Sequence, residues 1–188
     1  VASIAPPASL KGMVTTGLGK LMGDRPELLI DKLGERLAFE RTGVRLYEAI
    51  LVKCRAALTQ GTPLTLPDAS TAGDAPQDAL AALTRIRADE LAHFHMLSEA
   101  IQTLGGDPTA QTPSADVTAT ASMGLLQVIS DPRTTLAQSL NALLTVELTD
   151  NAGWELLIEL AESEGQSELA ADFAVALEQE AGHLRIVR

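Results

Sequence analysis

Two of the three histidines in this chain follow a glutamate by three residues, as Glu90-x-x-His93 and Glu180-x-x-His183. Residues three apart share one face of an α-helix. Each pair therefore sets a carboxylate beside an imidazole, where both can reach one metal ion. Both pairs interrupt apolar stripes at steps of three and four, the helical period. One stripe reads Leu83, Ile86, Glu90, His93, Leu97, Ile101, Leu104; the other reads Phe173, Ala176, Glu180, His183, Val187. Two more stripes have the same fault. Leu29, Leu33, Leu37, Glu40, Val44, Tyr47, Leu51 is one, and Leu136, Leu140, Leu143, Glu147, Asp150, Trp154, Leu157 is the other. An unpaired ionised carboxylate is costly in an apolar core. With the fault on four helices, the simplest remedy is that the groups meet and share cations. The fold must then bring four helices together with these levels aligned.

Composition agrees with a helical answer. Hydrophobic residues make up 46% of the 188-residue chain, mostly Ala and Leu, and aromatics only 3%. Ala and Leu are the strongest helix formers, and a chain of this length buries a sizeable core. The net charge of −11 argues against nucleic acid, which needs clustered cations. The single cysteine, Cys54, rules out an intrachain disulfide. It also leaves no thiolate zinc or rubredoxin-type site. No apolar run approaches a membrane span, so a cytoplasmic protein without a membrane partner is expected. The first residue is Val1, which leaves room for a removed leader.

The chain divides into an N-terminal tail, residues 1–23, and a helical domain, residues 24–188. The tail is rich in Gly, Ala, Pro and Thr, with one weakly amphipathic stretch from Leu10 to Leu21. Asp24-Arg-Pro-Glu27 is a helix-start pattern, and the first helix runs to about Thr59, before Gly61. Residues 60–74 form a loop, and Asp74-Ala-Pro-Gln77 repeats the start pattern. The second helix ends at Leu104, before Gly105-Gly106. Residues 105–131 form a long connection with a short helix near 119–129. Asp131-Pro132 caps the third helix, which runs to about Glu164, and the fourth runs from Ser167 to the chain end.

Glu40, Glu90 and Glu147 each lie about 15 residues past their helix starts and Glu180 about 13, which at 1.5 Å per residue is about 20 Å in from each end. Antiparallel helices crossing at a shallow angle bring such levels together at mid-bundle. The expected fold is an all-α, antiparallel four-helix bundle with the long connection crossing between helices two and three. A weak repeat is also visible: Glu40 precedes Tyr47 by seven residues, and Glu147 precedes Trp154 by seven. Halves related by a two-fold axis would give each of two ions one histidine and one terminal carboxylate, with Glu90 and Glu180 as bridges. Carboxylate-rich, histidine-poor ligation suits Fe or Mn better than Zn or Cu.

With Glu40, Glu90, His93, Glu147, Glu180 and His183 as ligands, and with the aromatics Tyr47 and Trp154, the chain resembles the ferritin-like superfamily. Its bacterioferritin and rubrerythrin branch is the nearest. The resemblance covers roughly residues 25–188. It implies a dinuclear, non-haem centre of two Fe ions, with Mn as the other metal. It also implies that Asp89, just before the first Glu-x-x-His, orients His183. Gln179 stands at the matching place in the second pair, so the surroundings of the two ions are expected to differ. Three departures narrow the family. Leu91 stands where bacterioferritins carry a haem-binding Met, so no haem is expected. The chain stops five residues after His183, without the short fifth helix of storage cages, and it has no Cys-rich rubredoxin module. A storage cage is disfavoured and a homodimer is left open.

The function expected is oxidation of Fe(II), or reduction of O₂ or peroxide, at the di-iron site. The alternatives are manganese-catalase-like dismutation of peroxide and a helical module without redox work. For Tyr47 and Trp154, core packing and a redox or hydrogen-bonding role carry equal weight. Asp150, one turn past Glu147, is placed beside the ligands rather than among them. His95 falls off the stripe and is read as a surface residue, and Cys54 as a small core residue. Arg41 and Arg45 are expected to form surface pairs or to hold the ligands from outside.

Overall fold

A computed structural model describes residues 26–62, 64 and 78–188. The tail, its weak stripe and the two start patterns at Asp24 and Asp74 lie outside the described residues. The described residues form five helices: α1 (Pro26–Thr59), α2 (Ala79–Thr103), α3 (Pro113–Ser130), α4 (Leu136–Ser163) and α5 (Ser167–Val187). All are α-helical, and the fold is an all-helical bundle. No helix among the described residues is long and apolar enough to cross a membrane.

The helix ends follow from local chemistry. Asp78 opens α2, its Oδ1 accepting from the Leu80 N–H at 3.0 Å. The positive φ of 84° at Gly105 turns the chain so that the Gly106 N–H returns to the Ile101 carbonyl at 2.8 Å. Gly165, at φ 71°, does the same after α4, where the Gln166 N–H reaches the Ala161 carbonyl at 2.8 Å. Both geometries satisfy carbonyls that a helix end leaves open.

Two expectations need correcting in the long connection. It holds not a short helix near 119–129 but α3, 18 residues long. Thr112 starts it early, its Oγ1 accepting from the Ala115 N–H at 3.3 Å, and Pro113 suits a first turn. Only Ala115, Ser122 and Ile129 of α3 are buried. A seam that narrow, made of mostly small residues, gives little apolar periodicity to read. Asp131 does not cap the next helix. It sits just past the end of α3, its N–H bonded to the Gln127 carbonyl at 3.0 Å. The cap of α4 is Thr135, in a reciprocal capping box with Gln138: the Thr135 Oγ1 accepts from the Gln138 N–H at 3.2 Å and the Gln138 Oε1 from the Thr135 N–H at 2.9 Å.

Specific contacts fix which ends meet. Glu48, in the second half of α1, pairs with Arg87 near the start of α2 at 2.5 Å. Asp31, near the start of α1, accepts from the Ser114 N–H at 3.0 Å and hydroxyl at 2.7 Å, at the start of α3. Toward the other end of α1, Lys53 Nζ donates to the carbonyls of Asp131 and Thr134 at 2.7 and 2.9 Å and to the Ser139 hydroxyl at 3.0 Å. It thereby ties the end of α3 and the start of α4 to α1. In α4 and α5, Asn151 Nδ2 donates to the Glu180 carbonyl at 3.2 Å, and Trp154 meets Phe173 at 5.7 Å between ring centroids.

The buried apolar residues form two clusters. One is built on Leu29, Leu33, Leu97, Ile101, Trp154, Leu157 and Phe173. The other is built on Leu46, Tyr47, Ile50, Leu83, Ile86, Ile129, Leu143 and Val146. Along α2 and α4 the buried acidic residues fall in sequence between the parts that feed the two clusters, and on α1 Glu40 falls where one cluster gives way to the other. The polar level is therefore enclosed by apolar layers, as the interrupted stripes predict.

Candidate metal centre

Glu40, Glu147 and Glu180 are fully buried, and Glu90, His93 and His183 are at most 3% exposed. They come from α1, α2, α4 and α5, and their donor atoms converge. Glu40, His93 and Glu180 form one group whose ligand atoms lie within 4.8 Å of one another; Glu90, Glu147, Glu180 and His183 form a second. Glu180 stands between the imidazoles: its Oε1 lies 2.8 Å from His93 Nδ1 and its Oε2 3.0 Å from His183 Nδ1. Glu40 Oε2 lies 3.6 Å from His93 Nδ1, and Glu90 Oε1 lies 3.7 Å from His183 Nδ1.

Several donor atoms of this cluster are left without a hydrogen bond among the described residues. Glu40 Oε2, Glu90 Oε2, Glu147 Oε2, Glu180 Oε1 and His93 Nδ1 are all buried and make no hydrogen bond to the described residues. His93 Nδ1 and Glu180 Oε1 are close, yet not aligned for a bond. A buried polar atom left unpaired costs about 1–3 kcal/mol, so five in adjoining groups call for partners. A cation held by each group would be one.

Outer atoms of Glu40, Glu147, His93 and His183 are held. Arg36 Nη2 donates to Glu40 Oε1 at 2.7 Å. The Tyr47 hydroxyl donates to Glu147 Oε1. His93 Nε2 meets Gln179 Oε1 at 2.8 Å, and His183 Nε2 meets Asp89 Oδ2 at 3.2 Å. Asn151 Nδ2 bonds the backbone carbonyls of Glu147 and Glu180, at 2.9 and 3.2 Å. Such outer partners fix the ring orientation and turn the inner nitrogen of each imidazole toward Glu180.

Protonation follows from crowding. Burial works against a charged His93, but Glu180 and Glu40 beside it outweigh that and push its pKa up to about 10. His183 reaches about 11 in the same way: burial opposes, and Glu180 and Glu90 prevail. Burial is the largest cause raising Glu90 well above the usual carboxylate range, with Glu40 adding repulsion. Burial and the charge of Glu180 raise Glu147 to about 8, against the lowering effect of the Tyr47 bond. Glu180 alone falls, to about 2: burial would raise it, but the two imidazoles dominate. Burial, then the charge of Glu147, raises Tyr47 well above its ordinary value. Without cations, protons hold this cluster together.

The six residues read as ligands are thus brought together. Asp89 lies where the resemblance put it, against His183, and Gln179 does the matching work for His93. Tyr47 is buried and bonds Glu147, so it does more than fill space. Trp154 is buried, edge-on to His93 at 5.5 Å between centroids, and its Nε1 has no hydrogen-bond partner among the described residues. Asp150 is fully buried and ion-paired with Arg36, and its carboxylate also lies within reach of Glu40, Glu90 and Glu180. His95 is exposed and Cys54 buried. Arg41 and Arg45 are exposed and neither holds a ligand.

Sequence reasoning missed Arg36, which is only 5% exposed. It also missed two glycines that make room. A Cβ on Gly43 would fall on Glu90, 2.9 Å from its Cδ; one on Gly153 would fall on Arg36, 2.9 Å from its Cζ. The signal was available as spacing. Arg36 precedes Glu40 by four residues, Gly43 follows it by three, and Gly153 follows Asp150 by three, so each lies on the face of a buried carboxylate. No family model, curated protein or solved structure matches this chain.

Proposed function

We propose that this chain is a non-haem dinuclear carboxylate protein, with iron as the metal, that oxidises Fe(II) or reduces O₂ or peroxide. The observation that carries this is that five buried donor atoms from four helices make no hydrogen bond among the described residues and belong to ligand groups that share Glu180. In this reading α1, α2, α4 and α5 are an antiparallel four-helix bundle of the ferritin-like kind, and α3 is its crossover. The apolar packing supports that arrangement: Leu29 and Leu33 at the start of α1 share a cluster with Leu97 and Ile101 toward the end of α2, and Leu157 and Ala161 toward the end of α4 share it with Ala170 and Phe173 at the start of α5.

Glu40 and His93 would hold one ion, Glu147 and His183 the other, and Glu90 and Glu180 would lie between them. The donor set, rich in oxygen and with one imidazole per ion, suits iron or manganese. With Arg36 offsetting Asp150, the four glutamates balance two divalent cations, so the loaded centre adds no net charge to the core. When bound, the ions supply electrons to an oxidant, or take them, by moving between divalent and trivalent states.

The chain's own residues set the conditions. Arg36 and Tyr47 each hold one oxygen of a terminal glutamate and leave the other for the ion, which lets these two carboxylates shift without losing their anchor. Gln179 and Asp89 hold the imidazoles in place. The leucine and aromatic layers on either side keep bulk water from the centre, which strengthens every charge interaction within it.

Metal content and turnover together test the proposal. Protein loaded with Fe(II) under anaerobic conditions is expected to hold about two ions per chain, and mixing it with O₂ or H₂O₂ should oxidise iron faster than buffer does. One zinc per chain and no iron would overturn the dinuclear reading. Two irons with oxidation no faster than buffer would remove the redox assignment, and oxygen evolution from H₂O₂ by the manganese-loaded form would replace it.

A further inference from the structure

Asp150 is buried beside the centre without being one of the six residues that would hold its two ions. Both of its oxygens are fully buried and make no hydrogen bond among the described residues. One oxygen of Asp150 and one each from Glu40, Glu90 and Glu180 lie within 4.8 Å of one another. Oxygens on opposite sides of a hard divalent cation stand about 4–5 Å apart. These four carboxylates therefore have the span of a further cation position, one made of oxygen alone with no imidazole.

A cation already stands there, and it belongs to the chain. Arg36 Nη2 donates to Glu40 Oε1 at 2.7 Å and lies against Asp150 Oδ1. The two oxygens of Glu40 turn to different places: Oε1 to Arg36, and Oε2 toward His93 Nδ1 at 3.6 Å, where the first ion would bind. Shape holds the guanidinium as well as charge. The rings of Phe39 and Trp154 lie 4.7 and 5.5 Å from Cζ. A Cβ on Gly153 would stand 2.9 Å from Cζ, so the bare backbone there is what admits the arginine.

We propose that Arg36 fills a third cation position of the centre, formed by Asp150 with Glu40, Glu90 and Glu180, and so limits the metal load to two ions. The count of two rests on the dinuclear reading; the position itself is defined by Arg36 and Asp150. Charge gives the reason. Five buried carboxylates, Glu40, Glu90, Glu147, Asp150 and Glu180, are matched by two divalent ions and one guanidinium. A neutral side chain at position 36 leaves one negative charge in excess and four oxygens around an open position. A hard divalent ion such as Mn(II) or Fe(II) suits an all-oxygen set. It overshoots the excess by one charge, so it should bind less tightly than the first two.

Equilibrium dialysis of the full chain against Mn(II), with metal analysis, tests this. The unaltered chain is expected to hold about two ions and Arg36→Met about three, the third at least about tenfold weaker. Arg36→Lys keeps the charge and should hold about two, as should Arg36→Met combined with Asp150→Asn, which removes the opened position. The difference between variant and unaltered chain reads this proposal, while the count in the unaltered chain reads the dinuclear one, so the two fail separately. Metal-free Arg36→Met leaves Glu40 and Asp150 facing each other without a cation. It should melt lower, and Mn(II) should restore the midpoint. No additional ion in Arg36→Met, or a variant that Mn(II) does not restore, would overturn the proposal. An unchanged count with tighter binding would overturn it too, by making Asp150 a ligand of the first ion. So would an additional ion that persists when Asp150→Asn is added.

Discussion

Gly43 separates a built centre from a merely well-packed helix. In an ordinary helix interior, Gly→Ala gains about 0.5–1 kcal/mol. At Gly43 the new Cβ would fall on the Glu90 carboxylate, so Gly43→Ala should instead cost about 1–3 kcal/mol, as overpacking does. It should also lower the number of metal ions bound. The urea midpoint of the metal-free variant and metal analysis after loading check this; a more stable protein with a full metal complement would count against the site. The ligands themselves should divide into two kinds. Glu90→Ala and Glu180→Ala are expected to disturb both ions, because Glu180 reaches both imidazoles and Glu90 shares oxygen neighbours with both halves. His93→Ala and His183→Ala should each weaken one ion. Unaltered stoichiometry in all four variants would remove the assignment. Tyr47→Phe should leave two ions bound but destabilise the protein by about 1–3 kcal/mol, since it strips the one bond that Glu147 Oε1 makes.

At the scale of elements, the turn between α3 and α4 is where local chemistry and tertiary packing compete. Thr135 forms the capping box of α4, so Thr135→Ala should cost about 1 kcal/mol. The Asp131 carboxylate bonds only the backbone and side chain of Arg133. Its removal should stay within about 0.5 kcal/mol, as surface changes usually do. Denaturant midpoints of the two variants decide which residue caps α4, and the reverse order would restore Asp131-Pro132 to that role. Lys53 explains why the chain does not start α4 at once. Its ammonium gathers the carbonyls of Asp131 and Thr134, so residues 131–135 wrap around a charge that projects from α1.

For the whole molecule, the buried cluster links stability to pH with opposite signs in the two forms. In the metal-free protein His93, His183 and Glu147 have pKa values of about 10, 11 and 8, and Glu90 is raised as well. The unfolded chain releases these protons at ordinary values, so above the carboxylate range the folded chain binds more of them. Stability then falls as pH rises. The histidine contribution is complete below about pH 6.5 and is lost as pH approaches 10, and the Glu147 contribution is lost by about pH 8. Glu180, lowered to about 2, works the other way and only at acid pH. The metal-free melting temperature should therefore fall from pH 6 to pH 9. Metal must displace those protons, so its affinity should rise over the same range, with about three to four protons released per chain near neutrality. Melting curves with and without metal at both pH values, and proton release measured by calorimetry in two buffers, check the pair of slopes. A metal-free protein that gains stability from pH 6 to pH 9 would mean that the carboxylates are not crowded in the core.

The period of the apolar stripes carried most of what could be read in advance. Steps of three and four through Leu29, Leu97, Leu143 and Phe173 are enough to define helices. The glycines at 105 and 165 end two of them, because only a residue free of Cβ strain turns there. The seven polar interruptions were legible for the same reason: charge on an apolar stripe has no cheap local explanation. Tertiary structure decided what depends on distant partners. The helix over Pro113–Ser130 has too narrow a buried seam to stand out from the sequence, and it is held by Asp31 at one end and by Lys53 at the other. Arg36 reads locally as one more charge on a helix. It becomes the anchor of Glu40 only because α4 brings Asp150 and the bare backbone of Gly153 against it. A stripe records which face of a helix is buried. Which atom meets which across the bundle depends on helix–helix packing, and that packing is set by side chains far apart in the chain.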